Sequence, residues 1–161
     1  MNLYLRMIWL LVSSLFKPDL PARNPVNGFF LRVLPNDIDI NLHMNNGRYL
    51  TICDLTRVDM FIRSGLARTM MIEKWMPVIS EHTMRYKRPL RMFQKYHVKM
   101  HVVDWDDRVF NLTHSFVVNN KIVAHGTSKG VIVGKDGVVP PEQVIKTVEQ
   151  RLAKKRERKS R

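Results

Sequence analysis

The sequence predicts an α+β domain in which an antiparallel sheet wraps around one long helix. Apolar residues recur at steps of three and four through residues 47–66, which indicates an amphipathic helix. Between residues 76 and 133, apolar and polar residues alternate in four segments, as in half-buried strands. One strand precedes the long helix and another helix follows the last strand. This order favours a meander that covers the long helix.

Boundary signals divide the chain into elements. Pro35 ends the first strand and Pro89 breaks the second, while Asn119-Asn120 is a hairpin signal. Asn45 or Asn46 is a suitable N-cap for the long helix, and Gly65 a suitable stop. Strands are expected at 28–34, 76–86, 93–105, 109–118 and 121–133, the last interrupted around Gly126 and Gly130. A polar loop is expected at 36–46, an irregular or helical stretch at 67–75, and a final helix at 142–155.

Three segments are expected along the 161 residues: a helix with a proline-containing linker at 1–26, a main domain at 27–140 and a helix with a basic tail at 141–161. The apolar start has two interpretations, a cleaved signal or anchor and a retained helix. Arg6 interrupts a run shorter than the ~20 residues that span a bilayer, which favours the retained helix. Whether this helix, rich in Leu, Ile and Trp, touches a membrane stays open.

Charge and cysteine content limit the function classes. The net charge is +13, and the last eleven residues, expected to be a solvated end, hold seven basic residues and one acid. The remaining positive charge suits a polyanionic ligand such as nucleic acid, anionic lipid or coenzyme A. A single cysteine, Cys53, fits a reducing compartment, and we expect a cytoplasmic protein. The six histidines form no HExxH or CxxC-linked pattern, so neither a metal site nor a cofactor is expected.

The segment 37–46, DIDINLHMNN, holds the strongest chemical signal. It collects carboxylates, amides and an imidazole just before a helix, whose first N–H groups and positive dipole end suit a developing oxyanion. Asp and Asn also build turns and caps, so a purely structural loop is the alternative. Cys53, inside the long helix, is expected in the core rather than as a nucleophile. Met70, Met71 and Met76 fit either an acyl pocket or ordinary core packing.

Residues 37–49 resemble the D-x-D-x-N-x-H-x-N-N-x-x-Y signature of hotdog-fold thioesterases, including plant acyl-carrier-protein thioesterases, 4-hydroxybenzoyl-CoA thioesterase-like proteins and small thioesterase-like proteins. The similarity continues through Tyr49, Asp54 and Arg57, which match a Y-x4-[ED]-x2-R pattern. Residues 84–90, MRYKRPL, and the turn 105–108, WDDR, resemble later segments of the same family. The resemblance covers about residues 28–133.

The resemblance implies a hotdog fold, assembly as a homodimer or a tetramer of dimers, and hydrolysis of acyl-CoA or acyl carrier protein thioesters without a metal or cofactor. It implies catalysis by Asp39, Asn41 and His43. His43 would act as general base or polarising donor, Asn41 would orient water or the carbonyl, and Asp39 would order the site or serve as the carboxylate. The implied substrate-binding residues are Asn45, Asn46, Gly47, Tyr49, Asp54, Arg85, Lys87 and Arg88. For Asp54, pairing with a neighbour such as Arg57, or plain solvation, is the favoured alternative.

One departure from the plant enzymes favours a different function. Those enzymes carry a Glu and a Cys where this chain has Pro89 and Leu90, and Glu81 is the acid on the same strand. A non-catalytic protein that binds acyl thioesters is therefore the first alternative. A basic module that binds a membrane or nucleic acid is the second, although no nucleic-acid-binding motif is present.

Overall fold

A curled six-stranded antiparallel sheet carries four helices in the computed structural model, which describes residues 3–159. The helices are α1 (Leu3–Ser14), α2 (Asn46–Arg63), α3 (Leu66–Glu73) and α4 (Pro141–Lys159). The strands are β1 (Val26–Arg32), β2 (Met76–Tyr86), β3 (Lys95–Trp105), β4 (Phe110–Val118), β5 (Lys121–Gly134) and β6 (Gly137–Val139). This is the hotdog architecture that the sequence predicts.

The order of the strands differs from their order in the chain. The sheet runs β1-β3-β4-β5-β2, with β6 also paired to β5, so β1 and β2 form the two edges. Helix α2 lies against the apolar face of the sheet, where Tyr49, Ile52 and Leu55 share one core with residues of β1, β3, β4 and β5. The edge strand β2 is exposed over most of its length, which leaves its outer backbone groups open to another chain.

The boundaries of α2 follow from local chemistry. Asn45 is the N-cap, and its side-chain oxygen accepts a hydrogen bond from the Gly47 N–H at 2.8 Å. The helix ends at Arg63, three residues before the predicted end, and Gly65 adopts a left-handed conformation with φ of 78° between α2 and α3. The 67–75 stretch is helical over Leu66–Glu73 rather than irregular.

Strand β5 runs unbroken through Gly126 and Gly130, so the predicted interruption is wrong. Gly126 permits close pairing instead, because a Cβ there would lie 2.1 Å from the Thr83 carbonyl oxygen of β2. The turn at Asn119 and Asn120 has positive φ at both residues, as two-residue hairpins require. Three more differences are β6, which was not predicted, a 3₁₀ helix at Pro35–Asp37 inside the expected polar loop, and the extension of α4 to Lys159 beyond the expected end at 155.

Helix α1 is fastened to the domain by two buried carboxylates. Arg6, which is 3% exposed, donates to Asp37 through Nη1 at 3.1 Å and Nη2 at 2.5 Å. At the other end, Ser14 and Lys17 donate to Oδ1 of Asp59 at 2.7 and 3.1 Å. Helix α1 is therefore packed against the domain as part of this fold. None of the helices within residues 3–159 combines the length and apolarity needed to cross a bilayer.

The Asp59 network predicts a loss of stability in acid. Burial raises the pKa of Asp59, but hydrogen bonds from Asn27, Ser14 and Lys17 outweigh it and hold the pKa below its ordinary value. A carboxylate with a lowered folded pKa stabilises the fold fully above its unfolded pKa, about 4, and loses that contribution as pH falls through the folded pKa. We expect the urea midpoint to fall between about pH 5 and about pH 2, and to fall less steeply in Asp59→Asn than in the wild type. Asp107→Asn, at an exposed turn, should keep the wild-type slope; equal slopes in all three proteins would contradict the assignment.

Candidate active site

The segment before α2 folds back on itself and is held on both sides. The Asp39 N–H donates to the His43 carbonyl at 3.0 Å, and Leu42 takes a positive φ of 59° in the turn between them. The Met44 N–H donates to the Leu90 carbonyl and the Asn45 N–H to the Asp37 carbonyl, both at 2.8 Å. The loop is thus pinned to both the 3₁₀ helix and the segment after β2, which fixes the position of its side chains.

Asp39 and His43 come together at the mouth of this loop. His43 Nδ1 lies 3.8 Å from Asp39 Oδ1 and 3.5 Å from the Met44 carbonyl oxygen. Both neighbours of Nδ1 are acceptors, so the neutral ring is expected to carry its proton there and leave the Nε2 lone pair free. The side chains are 35% and 19% exposed, so they are accessible to a ligand. A carboxylate near the Nδ1 side of an imidazole is the arrangement that orients a general base.

Asn41 is also on this loop, but its contact with the pair is through the backbone. Its N–H donates to Asp39 Oδ1 at 2.9 Å, while the residue itself is exposed. Ile40 and Leu42 on either side are 96% and 76% exposed. The structure thus brings Asp39 and His43 together and leaves the Asn41 amide facing the same open surface.

The first residues of α2 take different positions. The Gly47 N–H is already occupied by Asn45, so the expected backbone donor at Gly47 is not available. The Asn46 carbonyl accepts from the Tyr86 hydroxyl at 3.2 Å, which ties the end of β2 to the start of α2. Tyr49 is 2% exposed, its ring contacts Tyr86 and Phe116, and burial raises its pKa to about 12. Tyr49 is therefore a core residue rather than one that meets a ligand directly.

The basic residues near the end of β2 divide into two groups. Arg85 alternates with the inward-facing Met84 and Tyr86, so it lies on the outer face of the sheet. Lys87 and Arg88 are exposed, and their N–H groups donate to the Val123 carbonyl at 2.8 and 3.0 Å. The chain then pairs with the 37–46 loop through a bridge between Arg91 and His43. Lys87, Arg88 and Arg91 thus lie beside the loop, and Arg85 lies on the opposite face.

Asp54 and Arg57 belong to a separate, buried polar cluster. Arg57, which is 5% exposed, forms an ion pair with the largely exposed Asp54. Asp54 therefore has the pairing role that was the alternative to substrate binding. Arg57 Nη1 also donates to Ser128 Oγ at 3.2 Å, and Ser128 Oγ lies 2.9 Å from His114 Nε2. His114 is 1% exposed, and burial followed by the Arg57 charge lowers its pKa to about 3. The sequence feature that could have indicated this cluster is His114, which occupies an apolar position in the alternating pattern of β4.

An apolar cavity of about 60 Å³ lies at the far end of α2. Its lining includes Met60, Phe61, Ile79, Phe110 and Val148. The expected methionines do not line it. Met70 packs in a core cluster, whereas Met71 and Met76 are 82% and 67% exposed. Cys53 is fully buried in the core, as expected, and burial raises its pKa to about 12.

Residues 33–148, most of the chain, match the family described as the thioesterase-like superfamily. The chain belongs to this superfamily. Among curated relatives, the protein named THEM6 of Danio rerio is 34% identical over 117 residues, which cover 71% of this chain and 56% of the relative. THEM6 of Xenopus laevis is 32% identical over 118 residues, covering 72% and 55%. The chain spans about half the length of these relatives.

Solved structures support the hotdog fold of this thioesterase-like chain. A gentisyl-coenzyme A thioesterase superposes with a TM-score of 0.66 at 22% identity, covering 76% of this chain and 99% of that protein. YbaW of Escherichia coli, described as a probable thioesterase, gives 0.70 at 19%, covering 76% and 96%. A Staphylococcus aureus protein solved in complex with CoA gives 0.66 at 13%, covering 79% and 84%. At these identities the likeness concerns the fold alone.

The departure from the plant thioesterases has a structural explanation. Leu90 is fully buried in the main core, and its carbonyl accepts a hydrogen bond from the Met44 N–H of the 37–46 loop. Glu81 is half exposed and pairs with Lys129 at 2.7 Å on the outer face of the sheet. Tyr86 lies five residue steps along β2 from Glu81, about 16 Å of strand, and its hydroxyl donates to the Asn46 carbonyl at the start of α2. Within a single chain, Glu81 is therefore too far away to take the place of the Glu that the plant enzymes carry at the position of Pro89. The carboxylate beside His43 is that of Asp39.

Proposed function

We propose that the chain hydrolyses acyl thioesters at the loop formed by residues 37–46, with His43 as general base. The observation that carries this proposal is the Asp39–His43 pair, held open to solvent at the start of α2. His43 Nε2 takes a proton from water, which attacks the thioester carbonyl carbon. Asp39 orients the ring and stabilises the imidazolium that forms, and the proton then passes to the leaving thiolate.

The oxyanion formed in this reaction needs donors near the helix start. Because the Gly47 N–H is occupied by Asn45, we assign this role to the Asn46 N–H, aided by the positive end of the α2 dipole. The exposed Asn41 amide lies on the same loop and orients the water or the carbonyl group. These assignments explain why one loop holds three polar side chains at alternate positions.

The proposed substrate is an acyl-CoA, with an acyl carrier protein as the alternative carrier. Lys87, Arg88 and Arg91 are exposed beside the loop, where they meet the phosphates of either carrier. Two structural relatives support coenzyme A, one named a gentisyl-coenzyme A thioesterase and one solved with CoA. The net charge of +13 favours both carriers equally.

A homodimer completes this proposal. The apolar cavity is small, and it lies about 22 Å along α2 from the catalytic loop, so it does not serve as the acyl pocket of this site. Strand β2 is an unpaired edge with exposed apolar side chains at Met76 and Val78. Pairing of two β2 strands would join the sheets and place a second chain beside the catalytic loop, which creates new walls for an acyl group.

The test is release of free thiol from acyl-CoAs, from acetyl to palmitoyl and including aromatic acyl groups, by chain that elutes as a dimer. We expect turnover with one preferred acyl class, and turnover that falls when dilution dissociates the dimer. Acyl carrier protein thioesters form a second arm. No release from any of these substrates, together with saturable acyl-CoA binding, would replace hydrolysis by the acyl-binding function.

A membrane surface is a second proposed partner, through the outer face of α1. Eight large apolar side chains on α1 and the turn directly after it are 42–85% exposed: Tyr4, Leu5, Ile8, Trp9, Leu11, Val12, Leu15 and Phe16. Lys17, Arg32 and Lys95 lie near this face, since Lys17 contacts the Trp9 ring and the other two line a groove with Trp9. Such a face fits the interface of an anionic bilayer.

Flotation with lipid vesicles tests this contact. We expect wild type to float with vesicles of phosphatidylcholine and phosphatidylserine, and less with phosphatidylcholine alone. Ile8→Glu/Val12→Glu should abolish flotation, while the matched pair Met71→Glu/Ile72→Glu on the exposed face of α3 should not. Equal flotation of both variants would contradict a role for α1.

A further inference from the structure

Three potential metal ligands meet in the interior between α2 and the sheet. Cys53 comes from α2, His82 from β2 and His114 from β4, and one ligand atom of each lies within 4.8 Å of one from each of the others. Cys53 is fully buried, His114 is 1% exposed and His82 is half-buried. Three separate elements thus direct a thiol and two imidazoles toward one point.

Both imidazoles have an unsatisfied nitrogen. His82 Nε2 and His114 Nδ1 are buried and have no hydrogen-bond partner among residues 3–159. A buried polar atom without a partner is costly, so a group that pairs with both nitrogens would stabilise this part of the interior. The spacing between the rings is short, with centroids 5.5 Å apart and planes inclined by 26°.

The other nitrogen of His114 has the arrangement of an oriented metal ligand. Its Nε2 lies 2.9 Å from Ser128 Oγ and 3.3 Å from Arg57 Nη1, which can only donate. Binding of an ion at Nδ1 therefore requires the tautomer whose Nε2–H donates to Ser128. Arg57 donates to the same Ser128 oxygen and is paired with Asp54, so its charge is partly balanced.

We propose that Cys53, His82 and His114 bind a soft d¹⁰ cation, Zn²⁺ or Cu⁺, through the thiolate sulfur and the two unpaired imidazole nitrogens. Metal–nitrogen bonds of about 2.0 Å and metal–sulfur bonds of about 2.3 Å place ligand atoms roughly 3.5 Å apart, so the set must close by about 1 Å. On binding, the Cys53 thiol releases its proton to solvent and its sulfur donates an electron pair to the ion. Zn²⁺ would keep a fourth position for water, whereas Cu⁺ accepts three ligands and leaves no net charge next to Arg57.

This site is separate from the catalytic loop and holds whether or not the chain hydrolyses thioesters. The bound ion would join α2, the edge strand β2 and the central strand β4. Because the unfolded chain has no preformed site, binding stabilises the fold, above all the attachment of β2.

The test is metal titration of the purified full chain against a chromophoric chelator, with Zn²⁺ in air and Cu⁺ under anaerobic conditions. We expect one equivalent per chain and a rise in melting temperature with the preferred ion. Cys53→Ala and His82→Gln should each weaken binding by about tenfold or more, and Ser128→Ala by a factor of about 10. Co²⁺ in place of Zn²⁺ should give a thiolate-to-metal charge-transfer band that Cys53→Ala removes.

His101→Gln, a half-exposed histidine of β3, is the matched control and should bind as wild type does. The proposal is overturned if neither ion binds stoichiometrically, if Cys53→Ala and His82→Gln bind as tightly as wild type, or if His101→Gln loses the ion. Circular dichroism of each variant shows that the comparison is made between folded proteins. His82 is half-buried on an edge strand, so His82→Gln is expected to fold. It therefore tests the proposal even if Cys53→Ala unfolds.

Discussion

His43→Ala is expected to lower kcat/KM for thioester hydrolysis by about 10²–10⁴-fold, the range that general-base catalysis contributes. The reason is that water would lose the Nε2 base while every backbone contact of the loop remains. Asp39→Asn is expected to have a comparable effect, since an amide cannot stabilise the imidazolium next to it. Thiol release at saturating and limiting substrate measures both parameters, and we expect kcat to carry most of the loss.

Stability separates catalysis from a structural role of the same loop. The two side chains are partly exposed, so we expect both variants to unfold within about 0.5 kcal/mol of wild type. His101→Ala is the control for loss of a histidine elsewhere and should retain full turnover. If His43→Ala retained turnover, the base would lie elsewhere. If both loop variants lost the folded state together with activity, the loop would be structural.

The 37–46 loop was recognisable in the sequence because its polar residues follow one another closely along the chain. Asp39, Asn41 and His43 are two residues apart, and backbone pairing of Ile38 with Met44 closes the turn that brings Asp39 to His43. The occupied Gly47 donor was not foreseeable, because either asparagine could have been the cap. Which of them caps the helix decides which N–H remains available.

The buried cluster could not be predicted in the same way. Cys53, His82 and His114 are 29 and 32 residues apart, and they meet because β4 and β2 flank β5. Alternation along a strand predicts which face a side chain occupies, but not which strand lies next to it. Strand β2 comes second in the chain yet lies at the opposite edge of the sheet from β1. The alternation of apolar and polar residues therefore could not predict the order of the strands either.

Arg6→Met is expected to lower the free energy of unfolding by about 3–5 kcal/mol, the cost of removing one partner of a buried ion pair. Arg48 Nε, 3.7 Å from Asp37 Oδ1, stays as a more distant cation. In the sequence, Arg6 looked like a break in an apolar run; in the fold, it is the partner of a carboxylate that is 1% exposed. Asp37 also accepts from the Leu34 N–H at 2.8 Å, and its carbonyl accepts from Asn45. The variant therefore weakens both the attachment of α1 and the anchor of the catalytic loop.

Urea unfolding of four proteins tests this account. Arg23→Met, which breaks exposed pairs with Glu142 and Glu149, is the matched control and should lower the urea midpoint far less, because solvent screens exposed ion pairs. Adding Asp37→Asn to Arg6→Met should recover part of the loss, because the amide oxygen still accepts from Leu34 and the buried carboxylate charge is gone. An Arg6→Met loss as small as that of Arg23→Met would contradict the account. So would a double variant less stable than Arg6→Met, because the buried Asp37 charge would then not be the source of the cost.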